Sequence, residues 1–289
     1  MKVSSFLFLL LLPFYGIAQH EIAYLTNQSG NFDLFLINEN GGPVQQLTSN
    51  PGWDWGPVWN ASLKAVLYNS SDTANQFSIR AFDLKGSDKV IDTKGLEEFI
   101  LSPSGKYALY TLKDNQNRYI GIMDVNSGSN RLLVTDPSYN SRAKWSPDEQ
   151  YFSFISDRDG NGELYIYQIT TGITKRLTRS EKREKYTSWL PNSQEIVYTY
   201  HYSDERDKEH NDLFSVNILT QETRQITDDT AFYQEIAVSP DGKKIAFHAK
   251  RKGEDHIYTI DIDGKNEQQI TKAKAYHGEP CWVPKEGRK

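Results

Sequence analysis

Short stretches of alternating apolar and polar residues recur along the whole chain. Clear examples begin at Tyr151 and at Lys244, where apolar residues occupy every second position. Such alternation is typical of β-strands that bury one face. No stretch carries the apolar stripe of an amphipathic helix. The pattern therefore predicts an all-β protein with almost no helix.

The alternating stretches are separated by turn sequences. Residues 102–105, 146–149 and 239–242 read as Ser-Pro-Asp-Gly or a close variant, and 157–162 form a polar, glycine-containing turn. Pro and Asp favour tight turns, and Gly supplies the positive φ that some turns require. The turns divide the chain into strands short enough for antiparallel pairing.

The strands repeat with one period. The first marker of the repeat is an inner-strand tripeptide centred on Trp59, Leu101, Trp145, Trp189, Val238 and Trp282. A second marker keeps the same spacing at Leu47-Thr48, Ile91-Asp92, Val134-Thr135, Leu177-Thr178, Ile226-Thr227 and Ile270-Thr271. The first markers lie 42, 44, 44, 49 and 44 residues apart, which is the length of one four-stranded propeller blade.

Six such units predict a six-bladed β-propeller with four antiparallel strands per blade. The first predicted strand, 21–26, occupies the second position of a unit, and the last, 280–283, is an inner strand. We therefore expect the C-terminal strand to join three N-terminal strands in one blade and close the ring, which leaves no open sheet edge. The alternatives are an open β-solenoid and a two-sheet sandwich.

The N-terminus has the features of a targeting segment. Lys2 precedes an apolar run at 6–14 that is too short to span a bilayer, and small residues surround Ala18. We expect a cleaved signal peptide at 1–18, a propeller at 19–289, and a periplasmic or secreted protein without a transmembrane segment after cleavage. The alternative is an uncleaved N-terminal anchor.

Composition narrows the function further. The net charge of −5 argues against a nucleic-acid partner, and the basic stretch 175–185 is interpreted as a solvated loop. The single cysteine, Cys281, excludes disulfide stapling, and its position beside Trp282 favours a buried hydrophobic role. The longest interval contains a charged insertion at 201–212, interpreted as a surface extension.

The loops that lead into the six inner strands should converge on one mouth of the central channel, where propellers usually bind. The candidate ligand- or partner-binding residues there are Asp54, Trp55, Glu97, Glu98, Arg142, Tyr186, Gln234, Glu235, His277 and Glu279. This mixture suits a peptide or a sugar; the alternative is a solvated rim without a ligand. Of Trp53 and Trp55, we expect one to belong to the core.

No catalytic residue, metal ligand or cofactor is assigned. His277 is the only histidine expected in the mouth, whereas a catalytic metal needs three or four converging ligands. The alternative is a Ca²⁺ site formed by Asp54, Glu97, Glu235 and Glu279, whose like charges would need a cation. The chain lacks a Gly-x-Ser-x-Gly elbow, a Cys-x-x-Cys pair and a His-Glu-x-x-His motif.

The repeat resembles that of TolB-type propellers. The resemblance is carried by 145–148, by 154–160 with Leu164-Tyr165, and by 239–247, and it extends over the whole predicted propeller. It implies a cell-envelope protein that binds a partner, such as an envelope protein or a peptidoglycan-associated lipoprotein. TolB also has an α/β domain before its propeller, for which this sequence has no room, so a full Tol-system role is not expected.

The resemblance leaves several functions open. The first is a monomeric, exported, non-catalytic binding or scaffold protein that engages its partner through the channel mouth. The alternative is a carbohydrate-active lyase of acidic oligosaccharides with its active site at the mouth, as in some relatives with this repeat, which hold a divalent metal. A third is a ligand binder like a sensor ectodomain. The same repeat also forms the propeller cap of some serine peptidases, but those need a separate hydrolase domain with a Gly-x-Ser-x-Gly elbow, for which this sequence has neither the motif nor the length.

Overall fold

The computed structural model describes residues 20–93, 96–180, 183–203, 209–229 and 231–285. The predicted signal peptide at 1–18 and the tip of the predicted insertion, 204–208, lie outside these ranges. The described residues form strands and turns without a helix, as the periodicity predicts. None of them forms a helix that is long and apolar enough to cross a membrane.

The strands, in chain order, are β1 (His20–Thr26), β2 (Asp33–Asn38), β3 (Val44–Gln46), β4 (Asp54–Asn60), β5 (Ala65–Ser71), β6 (Phe77–Asp83), β7 (Asp88–Ile91), β8 (Glu97–Leu101), β9 (Tyr107–Asp114), β10 (Asn117–Asp124), β11 (Asn130–Val134), β12 (Asn140–Trp145), β13 (Tyr151–Ser156), β14 (Glu163–Gln168), β15 (Thr174–Arg176), β16 (Thr187–Trp189), β17 (Glu195–Ser203), β18 (Glu209–Asn217), β19 (Thr223–Gln225), β20 (Gln234–Val238), β21 (Lys244–Arg251), β22 (Glu254–Asp261), β23 (Gln268–Gln269) and β24 (His277–Pro284).

These strands form six four-stranded antiparallel sheets, so the predicted six-bladed propeller is confirmed. Blade 1 has the order β24-β1-β2-β3, and blades 2 to 6 are β4–β7, β8–β11, β12–β15, β16–β19 and β20–β23. Blade 1 joins the first and last described strands, because His20 pairs with Pro284 and Thr26 with His277. The predicted closure of the ring by the C-terminal inner strand is therefore also confirmed.

The apolar residues are buried between blades. One core cluster joins Leu109 and Ile120 of blade 3 to Trp145 and Phe152 of blade 4, and a second joins Ile155 of blade 4 to Trp189 and Ile196 of blade 5. A single blade could not bury both of its faces. Each face therefore packs against the neighbouring blade, and the two blades share one core cluster. This packing explains why apolar residues recur at the same position of each repeat.

The threonine of the second marker has a structural role in four blades. Its hydroxyl accepts a hydrogen bond of 2.9–3.0 Å from the backbone N–H of a third-strand residue 14 positions earlier. The pairs are Thr48 with Leu34, Thr178 with Leu164, Thr227 with Leu213, and Thr271 with Ile257. These threonines are buried, so the bond satisfies polar groups that water cannot reach. The Leu-Thr marker thus fixes the outer strand of a blade.

Candidate functional site

The inner strands carry one equivalent position that gathers around the channel. It lies three residues before the central residue of each first marker. We call these six residues the mouth ring: Gly56, Glu98, Arg142, Tyr186, Glu235 and Glu279. Five of them are candidate binding residues predicted from the sequence, and Gly56 completes the set.

A β-bulge places five of the six. The pairing of the inner strand with the second strand shifts register at this position in blades 1, 2, 3, 4 and 6. There Glu98, Arg142, Glu235 and Glu279 have φ between 47° and 56°, and Gly56 has φ 66°. Positive φ is costly for residues with a Cβ, and bulges commonly re-aim side chains at functional sites. Four residues with a Cβ adopt this unfavourable backbone conformation at the same position of the repeat, which marks the ring as a candidate site.

One arc of the ring is acidic and internally bonded. The backbone N–H of Gly56 donates to Glu279 Oε2 at 2.6 Å, and the N–H of Glu279 donates to Glu235 Oε2 at 2.7 Å. His248 Nδ1 lies 3.4 Å from Glu235 Oε2, and its Nε2 lies 3.0 Å from Asp255 Oδ1. Each of the two glutamates therefore bonds the bulge of the following blade.

The two glutamates of this arc differ in pKa. Burial alone would raise the pKa of Glu235, but hydrogen bonds from His248 and from the N–H of Glu279 hold it below its usual value. Burial raises the pKa of Glu279, and the charge of Glu235 adds to the rise. Burial would lower the pKa of His248, but its contacts with Glu235 and Asp255 raise it. The contact between Glu235 and His248 therefore favours the charged form of each group, and both face partners within this arc.

The opposite arc borders an open cavity of about 590 Å³. Gly56, Glu98 and Arg142 of the ring line it, together with Arg118, Arg183 and Lys185. The Arg142 guanidinium lies 5.0 Å from the ring centroid of Tyr186, and Lys185 Nζ lies 5.2 Å from the same centroid. Within the part of the chain that the structure describes, Arg142, Arg183 and Lys185 form no ion pair. They give this arc a net positive charge, and the charge of Arg142 also acts on Glu235 and Glu279 across the channel.

The acidic groups of this arc do not neutralise it. Glu98 is occupied, because its Oε1 lies 2.6 Å from Arg118 and its Oε2 accepts a hydrogen bond from Thr111 at 2.9 Å. Glu184 lines the same cavity but is fully buried, and burial raises its pKa to about 9. Glu184 is therefore neutral at pH 7, and the cavity offers positive charge to a ligand.

Two further groups lie along the channel below the mouth. Partial desolvation by the channel walls lowers the pKa of Lys144 to about 8, and the nearby charge of Arg142 contributes, while the side chain keeps surface that water can reach. Burial raises the pKa of Cys281 to about 12, and its sulfur accepts a hydrogen bond from the Trp59 N–H at 3.1 Å. Cys281 is buried, which agrees with its predicted hydrophobic role.

The sequence placed the candidate residues on loops, whereas the structure extends the inner strands through nearly all of them. Asp54 and Trp55 belong to β4, Glu97 and Glu98 to β8, Arg142 to β12, Gln234 and Glu235 to β20, and His277 and Glu279 to β24. Tyr186 alone precedes its strand, β16. The bulged strands explain this difference, because the inner strand continues past the register shift instead of ending there.

Two candidates do not face the mouth. Asp54 is fully buried and accepts hydrogen bonds from Asn50 Nδ2 at 3.0 and 2.8 Å. His277 is also buried, with its ring stacked on His256 and its Nε2 2.9 Å from the carbonyl of Ala273. Both lie five residues before the central residue of a marker, and Asn140, Glu184 and Tyr233 share that position and are buried as well. Side chains at this position are buried, and of these five only Glu184 also borders the mouth cavity, whereas the bulge position lies at the mouth itself.

The remaining candidates have mixed surroundings. Trp55 is half-buried against the core of blades 1 and 2, while Trp53 is 59% exposed, so one of the two tryptophans belongs to the core as expected. Gln234 is half-buried beside Glu235. No group of three or more His, Cys, Asp or Glu among the described residues is arranged to hold a metal ion.

The sequence predicted Arg142 as a candidate residue but not the other cations of the basic arc. Arg183 and Lys185 belong to the stretch interpreted as a solvated loop, and Arg118 and Tyr139 come from blade 3 and the loop after it. The Tyr139 ring lies 4.8 Å from the Arg118 guanidinium and 5.5 Å from that of Arg183. The sequence did contain one indication of this arc. Arg183 and Lys185 lie immediately before the inner strand of blade 5, and the segments that enter inner strands were expected to meet at the mouth.

Comparison with known families matches residues 78–286 to the TolB beta propeller domain. A curated relative, the uncharacterized peptidase YuxL of Bacillus subtilis (strain 168), is 24% identical over 195 residues. That match covers 63% of this chain but only 27% of YuxL, so the chain spans about a quarter of that relative's length.

Solved structures share the fold. TolB from Acinetobacter baumannii superposes with a TM-score of 0.77 at 23% identity, covering 92% of this chain and 67% of TolB. An oligogalacturonate lyase from Vibrio parahaemolyticus gives 0.58 at 14% identity, covering 86% of this chain and 73% of the lyase. At these identities the superpositions show the fold alone.

Proposed function

This chain belongs to the TolB β-propeller family, and from that premise we propose that it is an exported, non-catalytic binding module of the cell envelope. Its partner is a protein, or a peptidoglycan-associated lipoprotein, that docks on the channel mouth. Export rests on the predicted signal peptide at 1–18, and a periplasmic or secreted location follows from it.

The observation that carries the proposal is the positive arc of the mouth. Arg142, Arg183 and Lys185 border a cavity of about 590 Å³ without ion-pair partners among the described residues, in a chain of net charge −5. A local concentration of cations on an acidic protein steers and orients an oppositely charged partner. We therefore expect the docking segment to present Asp or Glu side chains to this arc.

The tyrosines of the arc support binding in preference to a merely solvated rim. Tyr139 lies between two guanidinium groups, and Tyr186 lies beneath Arg142 and Lys185. These contacts restrict the long basic side chains before a partner arrives, which reduces the entropy lost on binding.

The test measures binding of a fluorescent acidic peptide, rich in Asp and Glu, to the full chain by anisotropy at several salt concentrations. Replacing Arg142 and Arg183 together by Gln should weaken binding at least about tenfold. The matched control is Arg131→Gln, which removes an exposed arginine of β11 on the outer edge of blade 3. Equal binding by the double variant and the native chain would refute docking at this arc.

Cross-linking in envelope fractions then tests for a natural partner. The native chain should capture a protein that the double variant loses and that Arg131→Gln retains. Capture that is unaffected by the double variant would place the interface elsewhere on the propeller.

A lyase of acidic oligosaccharides is the second candidate, because the same cations would accept the carboxylates of uronic acids. Incubation of the full chain with oligogalacturonate and a divalent metal should then generate the ultraviolet absorbance of an unsaturated uronate. Product formation that Arg142→Gln abolishes would replace the non-catalytic proposal.

A further inference from the structure

A second cavity, of about 550 Å³, opens beside the mouth on blade 2. We call it the aromatic groove; it is lined chiefly by Trp53, Trp55 and Phe77, with Asp72, Thr73 and Asn75 at its edge. It lies between the loop that enters β4 and the hairpin that joins β5 to β6. None of these residues belongs to the mouth ring.

The groove exposes large aromatic surfaces. Phe77 is 72% exposed and Trp53 is 59% exposed, the two highest values among the aromatic side chains that the structure describes as exposed. Most of the large aromatic residues named in the core clusters are instead buried between blades. Exposed aromatic surface of this kind marks a binding site more often than a scattered apolar residue does.

The walls of the groove are held rigidly. The N–H of Trp53 donates to Ser71 Oγ at 3.0 Å, and the N–H of Ser71 donates to the carbonyl of Trp53 at 2.8 Å. The amide of Asn31 donates to the Asn50 and Gly52 carbonyls, both at 2.6 Å.

Ring contacts fix the tryptophans further. The Trp53 ring lies edge-to-face with Phe32 at 5.6 Å, and the Trp55 ring lies edge-to-face with Phe77 at 5.7 Å. The aromatic surfaces are thus presented in one arrangement before a ligand arrives, which favours binding.

The charge of the groove selects the ligand. Asp72 is the one charged residue among those that line it, and no Lys or Arg lines it. Asp72 is exposed, and its Oδ1 accepts the N–H groups of Ala74 and Gln76 at 2.8 and 2.9 Å. Its Oδ2 is left for a ligand. Aromatic faces and a carboxylate both attract cations, Trp most strongly among the aromatic rings.

From these observations we infer that the aromatic groove binds a basic side chain, Lys or Arg, of the partner that docks on the mouth. The inference rests on the proposed protein-binding function and extends it to a second subsite. The two subsites belong to one short segment of the chain, because Gly56 borders the mouth cavity and Trp53 and Trp55 line the groove. The partner's footprint therefore pairs an acidic group at the mouth with a basic group over blade 2.

The test titrates the full chain with arginine amide and follows the indole N–H resonances by NMR, assigned through Trp53→Phe and Trp55→Phe. Both resonances should shift saturably, whereas citrulline amide, which keeps the α-amino group but has an uncharged ureido group in place of the guanidinium, should shift them much less. Asp72→Asn keeps Oδ1 for the turn and removes the charge; it should weaken arginine binding about threefold. Phe77→Ser should weaken it as well.

Other results would overturn the inference. Equal shifts with arginine and citrulline would exclude recognition of charge, and shifts caused only by N-acetylglucosamine would assign the groove to a sugar. Self-association that Phe77→Ser abolishes would make the occupant a second copy of the chain. The Arg142→Gln, Arg183→Gln double variant should bind arginine amide normally, so failure at the mouth and failure at the groove can be distinguished.

Discussion

The indole N–H of Trp282 donates a hydrogen bond of 2.8 Å to the backbone carbonyl of Ala237, 45 residues earlier and on the preceding blade. Trp145 forms the same bond with Ile100 at 3.0 Å, and Trp189 with Lys144 at 3.1 Å. The tryptophan of the repeat therefore links inner strands around the ring as well as filling the space between blades.

Removing this hydrogen bond should lower the free energy of unfolding. Trp145→Phe keeps most of the aromatic surface but leaves the Ile100 carbonyl without its donor. It should destabilise the chain by about 1–2 kcal/mol more than Trp59→Phe, measured by urea denaturation. Trp59 is the matched control because its indole has no hydrogen-bond partner among the described residues. Equal losses for the two variants would show that only packing matters.

Glu184 predicts a dependence of stability on pH. Burial raises its folded pKa to about 9 from a reference value of 4.5, so the folded chain holds a proton that the unfolded chain releases. The free energy of unfolding should therefore fall as pH rises above about 4.5, by up to about 1.4 kcal/mol per pH unit from this group.

The measurement compares Glu184→Gln with the native chain by urea denaturation at pH 5, 6 and 7. Gln resembles the neutral acid and cannot ionise, so the variant should lose part of the decline with pH, while Glu222→Gln, at an exposed site, should retain it. An unchanged slope in Glu184→Gln would mean that this carboxyl is charged in the folded chain.

Gly52 predicts a strict requirement for glycine. A Cβ at this position would lie 1.9 Å from the backbone oxygen of Ser71, and that atom cannot move without β5. Gly52→Ala should destabilise the chain by about 1–3 kcal/mol and change the fluorescence of Trp53. Gly162→Ala is the comparison, because its Cβ would meet the flexible side chain of Arg183. A smaller effect at Gly52 than at Gly162 would contradict this account.

Cys281 predicts an unreactive thiol. Its side chain is buried, and burial raises its pKa to about 12, so little thiolate exists near neutral pH. The native chain should resist a maleimide reagent at pH 7.5 and react promptly in denaturing urea. Rapid labelling of the native chain, followed by mass spectrometry, would show that the channel wall opens.

The repeat made the fold predictable from sequence. Two markers with one period give the number of blades, and the phase of the first and last strands gives the closure by β24. The markers are visible because each blade needs the same side chains at the same places. Trp145 fills the space between two blades, and Thr178 accepts a backbone hydrogen bond beside the outer strand.

The site was less predictable, because one added residue in a strand reverses which side chains face the channel. The bulge turns Glu98, Arg142, Glu235 and Glu279 toward the mouth, while Asp54 and His277, two residues earlier in their repeats, are buried. The tripeptide markers show the period but not the bulge. The charge of the mouth also depends on the burial of Glu184, which a sequence pattern does not reveal.

The pairing of His20 with Pro284 has a mechanical consequence. The two strands run antiparallel and their outer ends lie side by side, so tension applied at those ends loads the hydrogen bonds of β1 and β24 one pair at a time, in the manner of a zipper. Thermal opening of the ring must also break the packing of blade 1 against blades 2 and 6. The ring yields to a pull at its two ends much more readily than a joint loaded along its strands would.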